Sequence, residues 1–135
     1  MDYILIKDPT HSSLKKIQSL YEHEFPERER RDFSQLLTLL EVDNMQLIAI
    51  TGESMVIGFL IQWEFEEFIY LEHFSIDSSQ RGKNYGSTVI KQIIRDNQKL
   101  LLLEVEPPHD LPVRCLKELI FYFVTSSEQA DRDMV

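Results

Sequence analysis

One stretch decides how the chain folds, Leu71 to Asn97, with the sequence LEHFSIDSSQRGKNYGSTVIKQIIRDN. It predicts a strand that ends near Ile76, a tight polar loop over residues 80–86, and a helix that opens at about Ser87. Valine and isoleucine recur at helical spacing on one face of that helix, and charged and amide side chains occupy the other. A helix start has unpaired backbone N–H groups and partial positive charge, so this junction predicts an anion-binding site.

The loop itself carries the residue types that such a site needs. Gly82 and Gly86 let the backbone come close to a ligand, and Arg81 and Lys83 add positive charge. A surface turn without function can also contain glycine and lysine. The position between an apolar strand and an amphipathic helix favours the phosphate-binding interpretation.

The run RGKNYG at residues 81–86 resembles the pyrophosphate loop of the GNAT superfamily of acyl-CoA-dependent N-acyltransferases. That pattern is Arg or Gln, two residues, Gly, one residue, then Gly or Ala. Asn84 stands where the family usually has glycine, and asparagine tolerates positive φ better than most residues. The resemblance implies acetyl-CoA as acyl donor, bound by Phe74, Ser75, Ile76, Arg81, Gly82, Lys83, Asn84, Tyr85, Gly86 and Ser87.

Composition predicts one globular domain over residues 1–135, with 43% apolar and 27% charged residues. The net charge of −9 disfavours nucleic acid as a partner and favours a cationic or neutral acceptor. No apolar run is long enough to span a bilayer, and the N-terminus does not look like a signal peptide, so we expect no membrane association. The single Cys115 fits a reducing compartment, and we expect a cytoplasmic protein.

The predicted elements follow the order strand–helix–helix–strand–strand–strand–helix–strand–helix. They cover residues 3–7, about 12–24, 32–41, 45–51, 55–63, 68–76, 87–97, 100–103 and 110–124. This order resembles the GNAT order over residues 1–124, and FPERERR at residues 25–31 resembles the link between two short helices that wall the acceptor site in bacterial members. The resemblance implies an α/β (α+β) fold with a mixed, mostly antiparallel sheet flanked by helices. The family's last two strands have no counterpart, and residues 126–135 are predicted to be an irregular tail.

Acylation of an amine by a thioester needs a donor to the developing oxyanion, a base and an acid. The resemblance implies that backbone N–H groups at Phe74–Ile76 meet the thioester carbonyl. Glu72 is the candidate base, since a carboxylate in an apolar strand indicates a cleft, and burial would raise its pKa. The alternative is that Glu72 faces solvent, and the sequence leaves both open. His73 is expected on the opposite face of the strand and is a weaker candidate.

Tyr122 is the candidate acid for the departing thiolate, by resemblance, and core packing of Tyr122 is the alternative. The four histidines lack ligand spacing and the chain has one cysteine, so we expect no metal site.

Two functional hypotheses follow. The first is an acetyl-CoA-dependent N-acetyltransferase that acts on the amine of a small molecule or peptide. The second is a catalytically weak or inactive acyl-CoA-binding module of the same fold that works as a homodimer, because a missing last hairpin would expose an edge of the sheet.

Overall fold

A computed structural model of the protein describes residues 1–103. Its helices and strands are β1 (Asp2–Ile6), α1 (Leu14–Glu24), α2 (Phe33–Leu39), β2 (Met45–Gly52), β3 (Met55–Glu64), β4 (Phe68–Ile76), α3 (Tyr85–Asn97) and β5 (Leu100–Leu103). Two short 3-10 turns lie at Glu27–Glu29 and Ser78–Gln80. The predicted last helix, Tyr122, the irregular tail and the absence of the last hairpin all fall outside the described residues.

The sheet has the strand order β1-β2-β3-β4-β5. The first four strands pair antiparallel, and β5 pairs parallel to β4 from Phe68 opposite Leu100 to Leu71 opposite Leu103. The strand–helix–strand unit of β4, α3 and β5 requires this parallel pairing, because a crossover helix returns the chain to the same end of the sheet. The predicted mixed, mostly antiparallel sheet flanked by helices is confirmed.

Helices cover both faces of the sheet. The α1–α2 face buries a core of Ile6, Leu14, Ile17, Leu20, Tyr21, Phe33, Leu36, Leu40, Met45, Leu47, Ala49, Phe59 and Ile61. The α3 face buries Ile50, Ile57, Leu60, Ile69, Leu71, Ile76, Val89, Ile90, Ile93, Leu101 and Leu103. The valine and isoleucine residues predicted for one face of α3 reach its core, where Ile94 is half-buried. On α1, Leu14, Ile17, Leu20 and Tyr21 recur at the same spacing and are buried. The 3.6-residue periodicity therefore located both helices correctly.

A bulge interrupts β4 at Glu72. The register runs from Ile61 opposite His73 directly to Gln62 opposite Leu71, so Glu72 has no partner on β3. An extra residue of this kind reverses the alternation of side chains along the rest of the strand. Leu71 packs in the α3 core, whereas both Glu72 and His73 face the α1–α2 side. The expectation that His73 points away from Glu72 is wrong for this reason.

Two smaller expectations also change. Helix α3 begins at Tyr85 rather than at Ser87, so the last residues of the predicted loop belong to the first helical turn. Strand β2 ends at Gly52 rather than at residue 51, because Gly52 still pairs with Met55 of β3. The turn between the two strands is Glu53-Ser54, both with positive φ. Two consecutive left-handed residues are typical of a type I′ turn, which matches the twist of a two-strand ribbon.

Candidate active site

A cleft of about 520 Å³ opens where the end of β4, the loop that follows it, the start of α3 and the end of α1 meet. It is lined by Glu24, Phe25, Phe74, Ser75, Ile76, Gln80, Arg81, Gly82, Asn84, Tyr85, Gly86 and Ser87. All the predicted cofactor-binding residues except Lys83 are brought together here. The Lys83 ammonium instead donates to the Gln80 side-chain oxygen (3.0 Å).

The loop has the backbone shape of an anion-binding turn. Gly82 has φ +85°, and a Cβ at that position would meet no atom within 4 Å, so the backbone is open toward the cleft. Asn84 has φ +61° and lies directly before α3, in the left-handed conformation that the sequence suggested it could adopt. The first hydrogen bond of the helix runs from Thr88 N–H to the Asn84 carbonyl. The N–H groups of residues 85–87 therefore precede the helical ladder and lie at the cleft.

Arg81 fastens this loop to its surroundings. Its Nε donates to the Ile76 carbonyl at the end of β4 (3.2 Å), and its Nη2 donates to Glu24 Oε2 on α1 (2.8 Å). The guanidinium thus lies across the cleft between two walls. Glu24 was not among the residues that the sequence predicted for this site.

The last residues of β4 direct two backbone N–H groups away from β3. Asp77 N–H donates to the Ile57 carbonyl, which makes the Gly58–Ile76 pair one whose peptide groups point outward. The same holds for Phe74, two residues earlier. The register of β4 with described residues of β5 ends at Leu71, so these two N–H groups lie beyond that paired stretch.

Gly58 permits the close approach of β3 to this end of β4. A Cβ there would overlap the Ser75 carbonyl oxygen and would lie 2.9 Å from the Ile76 side chain. Sequence reasoning missed this residue, although a glycine inside an apolar strand is a signal of close backbone contact.

At the other side of β4, an ion pair holds Glu72. Arg31 Nη2 donates to Glu72 Oε1 at 2.7 Å, and the two side chains are 41% and 16% exposed. The Arg31 backbone N–H donates to the Tyr21 hydroxyl (2.6 Å), which anchors this part of the link between α1 and α2. Arg31 therefore joins the link between α1 and α2 to β4.

The charge on Glu72 is strongly stabilised. Burial raises its pKa, as expected, but the approach of His73 and the hydrogen bond and charge of Arg31 outweigh burial and lower the pKa to about 2. The expectation of a raised pKa is therefore wrong. The missing information was the cation, which lies 41 residues earlier in the chain.

His73 is 8% exposed and lies edge-on to the rings of Tyr21 and Phe25. Its Nε2 is 3.0 Å from the Glu29 carbonyl. A carbonyl only accepts, so Nε2 carries the hydrogen. Its Nδ1 lies 3.8 Å from Glu72 Oε2, and both atoms are buried without a hydrogen bond among the described residues. These two buried polar atoms therefore face each other where Glu72 and His73 meet.

A second, polar pocket of about 390 Å³ adjoins Arg31 on the outer side of the α1–α2 link. It is lined by Glu22, Glu27, Arg30, Arg31, Asp32 and Phe33. Within residues 1–103, no group of three or more His, Cys, Asp or Glu side chains could hold a metal ion. The helices of that same range include none that is long and apolar enough to cross a membrane.

Comparison with known proteins agrees with this geometry. The sequence model of the acetyltransferase (GNAT) family matches residues 13–118. The chain belongs to the GNAT family. No curated protein matches this GNAT chain in sequence.

Solved structures resemble the GNAT chain closely in fold. A Bacteroides thetaiotaomicron protein assigned to the GNAT family of acetyltransferases is 25% identical, with a TM-score of 0.75 over 91% of this chain and 69% of the other. An aminoglycoside acetyltransferase from an uncultured soil metagenomic sample is 16% identical, with a TM-score of 0.61 over 92% and 86%. An aminoglycoside 6'-N-acetyltransferase complexed with coenzyme A is 14% identical, with a TM-score of 0.60 over 81% and 64%.

Proposed function

We propose that this protein is an N-acetyltransferase that moves an acetyl group from acetyl-CoA to the amine of a small molecule or peptide. The observation that carries the proposal is the cleft in which the loop of residues 81–86, the start of α3 and the end of β4 converge. Three features of this cleft suit a pyrophosphate group. They are the positive φ of Gly82, the N–H groups of residues 85–87 that precede the helical hydrogen bonds, and the guanidinium of Arg81.

Acetyl-CoA would supply the activated thioester. Arg81 and the N–H groups of residues 85–87 would hold its phosphates. The outward N–H groups of Phe74 and Ile76 are the proposed donors to the oxygen of the reacting carbonyl, where negative charge develops. Tyr122 stays the proposed acid for the leaving thiolate.

Glu72 stays the proposed group that receives the amine's proton. With a pKa of about 2 it is anionic at neutral pH but a weak base while Arg31 binds it. We infer that the acceptor ammonium replaces Arg31 on Oε1, since the exposed guanidinium is the more displaceable partner. Glu72 then loses the hydrogen bond and charge of Arg31 that lower its pKa, and the positive charge of the ammonium disappears as its proton leaves. An N–H bond of the ammonium then breaks, its electron pair stays on nitrogen, and the proton passes to the carboxylate.

The acceptor is proposed to be cationic or neutral, because the chain carries a net charge of −9 and the pocket beside Arg31 has three carboxylates and two guanidinium groups. Polyamines, aminoglycosides, amino acids and peptides form the acceptor panel. We also propose that the protein works in the cytoplasm, as a single domain over residues 1–135.

Isothermal titration with CoA tests the donor site, with Gly86→Trp against the matched control Gly86→Ala. A Cβ at Gly86 would meet the Phe74 ring at 3.9 Å, an ordinary contact, so the alanine variant should bind within a few-fold of the wild type. The indole of the tryptophan variant would fill the cleft, and we expect binding to fall by about 100-fold or more. Absence of CoA binding by the wild type would refute the proposal.

One observation favours the second hypothesis, a binding module without turnover. Arg31 is hydrogen-bonded to Glu72, the proposed base, so an acceptor amine cannot reach Glu72 Oε1 while this ion pair is formed. A thiol-release assay over the acceptor panel, together with light scattering, separates the two. A dimer that binds CoA and releases no thiol with any amine supports the binding module, and turnover above the no-amine background excludes it.

A further inference from the structure

Glu24 is an anionic residue in a cleft that suits an anionic ligand. Its side chain is 18% exposed, and its carboxylate lines the same cleft as Arg81 and the start of α3. The carboxylate accepts from Arg81 Nη2 at 2.8 Å. The guanidinium that faces the cleft is therefore already paired with a negative charge.

The other charges near the loop are arranged differently. Asp77 is paired with Lys16 (2.7 Å), and Lys83 donates to the neutral Gln80. Among the described residues of the loop and its walls, Glu24 is thus the carboxylate that offsets the charge of Arg81.

We propose that Glu24 sets the affinity and selectivity of this cleft for phosphate-bearing donors, by competing with the donor's phosphates for Arg81. The inference rests on the proposed function only in that CoA binds in this cleft. The Glu24 carboxylate remains close to a phosphate bound by Arg81, whether or not Arg81 keeps its contacts to Glu24 and Ile76. The negative charge of Glu24 therefore repels the phosphate. Removal of the Glu24 charge should therefore increase the affinity of a ligand that carries phosphates and leave the affinity of a ligand without phosphates unchanged.

A purely structural role for Glu24 predicts the opposite result. If Glu24 mainly held Arg81 in place, its removal would weaken binding. The Nε bond from Arg81 to the Ile76 carbonyl does not depend on Glu24, so the guanidinium stays fixed without it. Helix α1 also keeps its second attachment, Lys16 to Asp77, and its buried apolar face.

The experiment compares CoA binding by the wild type, Glu24→Gln and the control Glu41→Gln, by isothermal titration at low salt. Glu41 is exposed, lines neither of the two pockets, and loses the same charge in the control. We expect Glu24→Gln to bind CoA about three- to tenfold more tightly, and Glu41→Gln to stay within about twofold of the wild type. The gain should shrink as salt is raised, because the charges are partly exposed.

Pantetheine, which has no phosphate, is the second ligand. It should bind the wild type and Glu24→Gln equally, or bind neither. Unchanged or weaker CoA binding by Glu24→Gln would overturn the proposal. An equal gain for pantetheine and CoA, or for Glu41→Gln and Glu24→Gln, would also overturn it. Absence of acetyl transfer by the wild type to every amine of the panel, together with tighter CoA binding by Glu24→Gln, would refute the proposed function and leave this inference standing. Absence of CoA binding by every variant would refute both.

Discussion

Two ion pairs of opposite polarity join the rest of the site to the segment that runs from the end of α1 into α2. At the proposed phosphate end, in the cleft, Glu24 of this segment pairs with Arg81 of the loop. At the proposed acceptor end, outside the lining of the cleft, Arg31 of the segment pairs with Glu72 of β4. The oxygen–nitrogen distances are nearly equal, 2.8 and 2.7 Å.

The pairs are similar in their exposure to solvent. The carboxylates of Glu24 and Glu72 are 18% and 16% exposed, and the guanidinium groups of Arg81 and Arg31 are 55% and 41% exposed. The pairs differ in their neighbours, because Glu72 also lies 3.8 Å from the buried His73. Both pairs are partly screened by water and salt. We therefore expect the larger effects at Glu72 only because it is the proposed base, and small, salt-sensitive effects at Glu24.

The largest effect is expected from Glu72→Gln. If Glu72 receives the proton of the amine, kcat/KM for acetyl transfer should fall by about 100- to 10,000-fold with little change in the Kd of CoA. The control is Glu67→Gln, an exposed carboxylate in the turn before β4. Equal activity of the Glu72 variant and the wild type would move the base elsewhere.

Acid should weaken the fold through Glu72. Its folded-state pKa of about 2 lies below its ordinary 4.5, so the stabilisation is complete above about pH 5 and is lost as the pH falls toward 2. The loss is at most about 3 kcal/mol. Arg31→Met raises the pKa of Glu72 and should flatten this dependence, measured by urea unfolding at several pH values. Arg28→Met, which alters an exposed arginine three residues earlier, should not. Parallel pH curves for Arg31→Met and the wild type would contradict the assignment.

Gly58→Ala tests the close approach of β3 to the end of β4. Its new Cβ would push on the Ser75 carbonyl, between the outward N–H groups of Phe74 and Ile76. We expect the free energy of unfolding to fall by about 1–3 kcal/mol, and CoA binding to weaken as well. In the control Gly52→Ala the Cβ would meet only the Ile57 side chain, at 3.4 Å, and the change should be small. Equal free energies of unfolding for Gly58→Ala and Gly52→Ala would show that the close approach at Gly58 does not contribute to stability.

The smallest effect is confined to the phosphate end, at Asn84. Its left-handed backbone costs alanine about 1 kcal/mol more than asparagine or glycine. Asn84→Ala should lower the unfolding free energy by about that amount, and Asn84→Gly should leave it nearly unchanged. Thermal unfolding of both variants measures the difference. A stabilised alanine variant would show that the loop relaxes out of this conformation.

The parts of the fold that depend on local sequence could be predicted from it. The apolar faces of α1 and α3, the strands and the phosphate loop follow from periodicity and turn residues within about 15 positions of each other. The ion pairs of Glu24 with Arg81 and of Arg31 with Glu72 could not be predicted. Their partners lie 57 and 41 residues apart in the chain, and Glu24 and Arg31 resemble ordinary surface charges in the sequence. The predicted direction of the Glu72 pKa shift was wrong for the same reason.

The bulge was also beyond the sequence pattern. Alternation places Glu72 and His73 on opposite faces, and only the pairing of β4 with β3 reveals the extra residue. Gly58 was the exception, since a glycine inside an apolar strand is visible in the sequence.

In the geometry of the sheet, Glu72 is an insertion. Without its codon, Leu71 would be followed by His73, the ladder between β3 and β4 would run unbroken, and every later residue of β4 would keep its present face. The sheet and the cleft therefore do not require the carboxylate. Under the proposed function, a chain one residue shorter would keep the donor site and lose the proposed base, so a single codon would separate a carrier of acyl groups from an enzyme that transfers them.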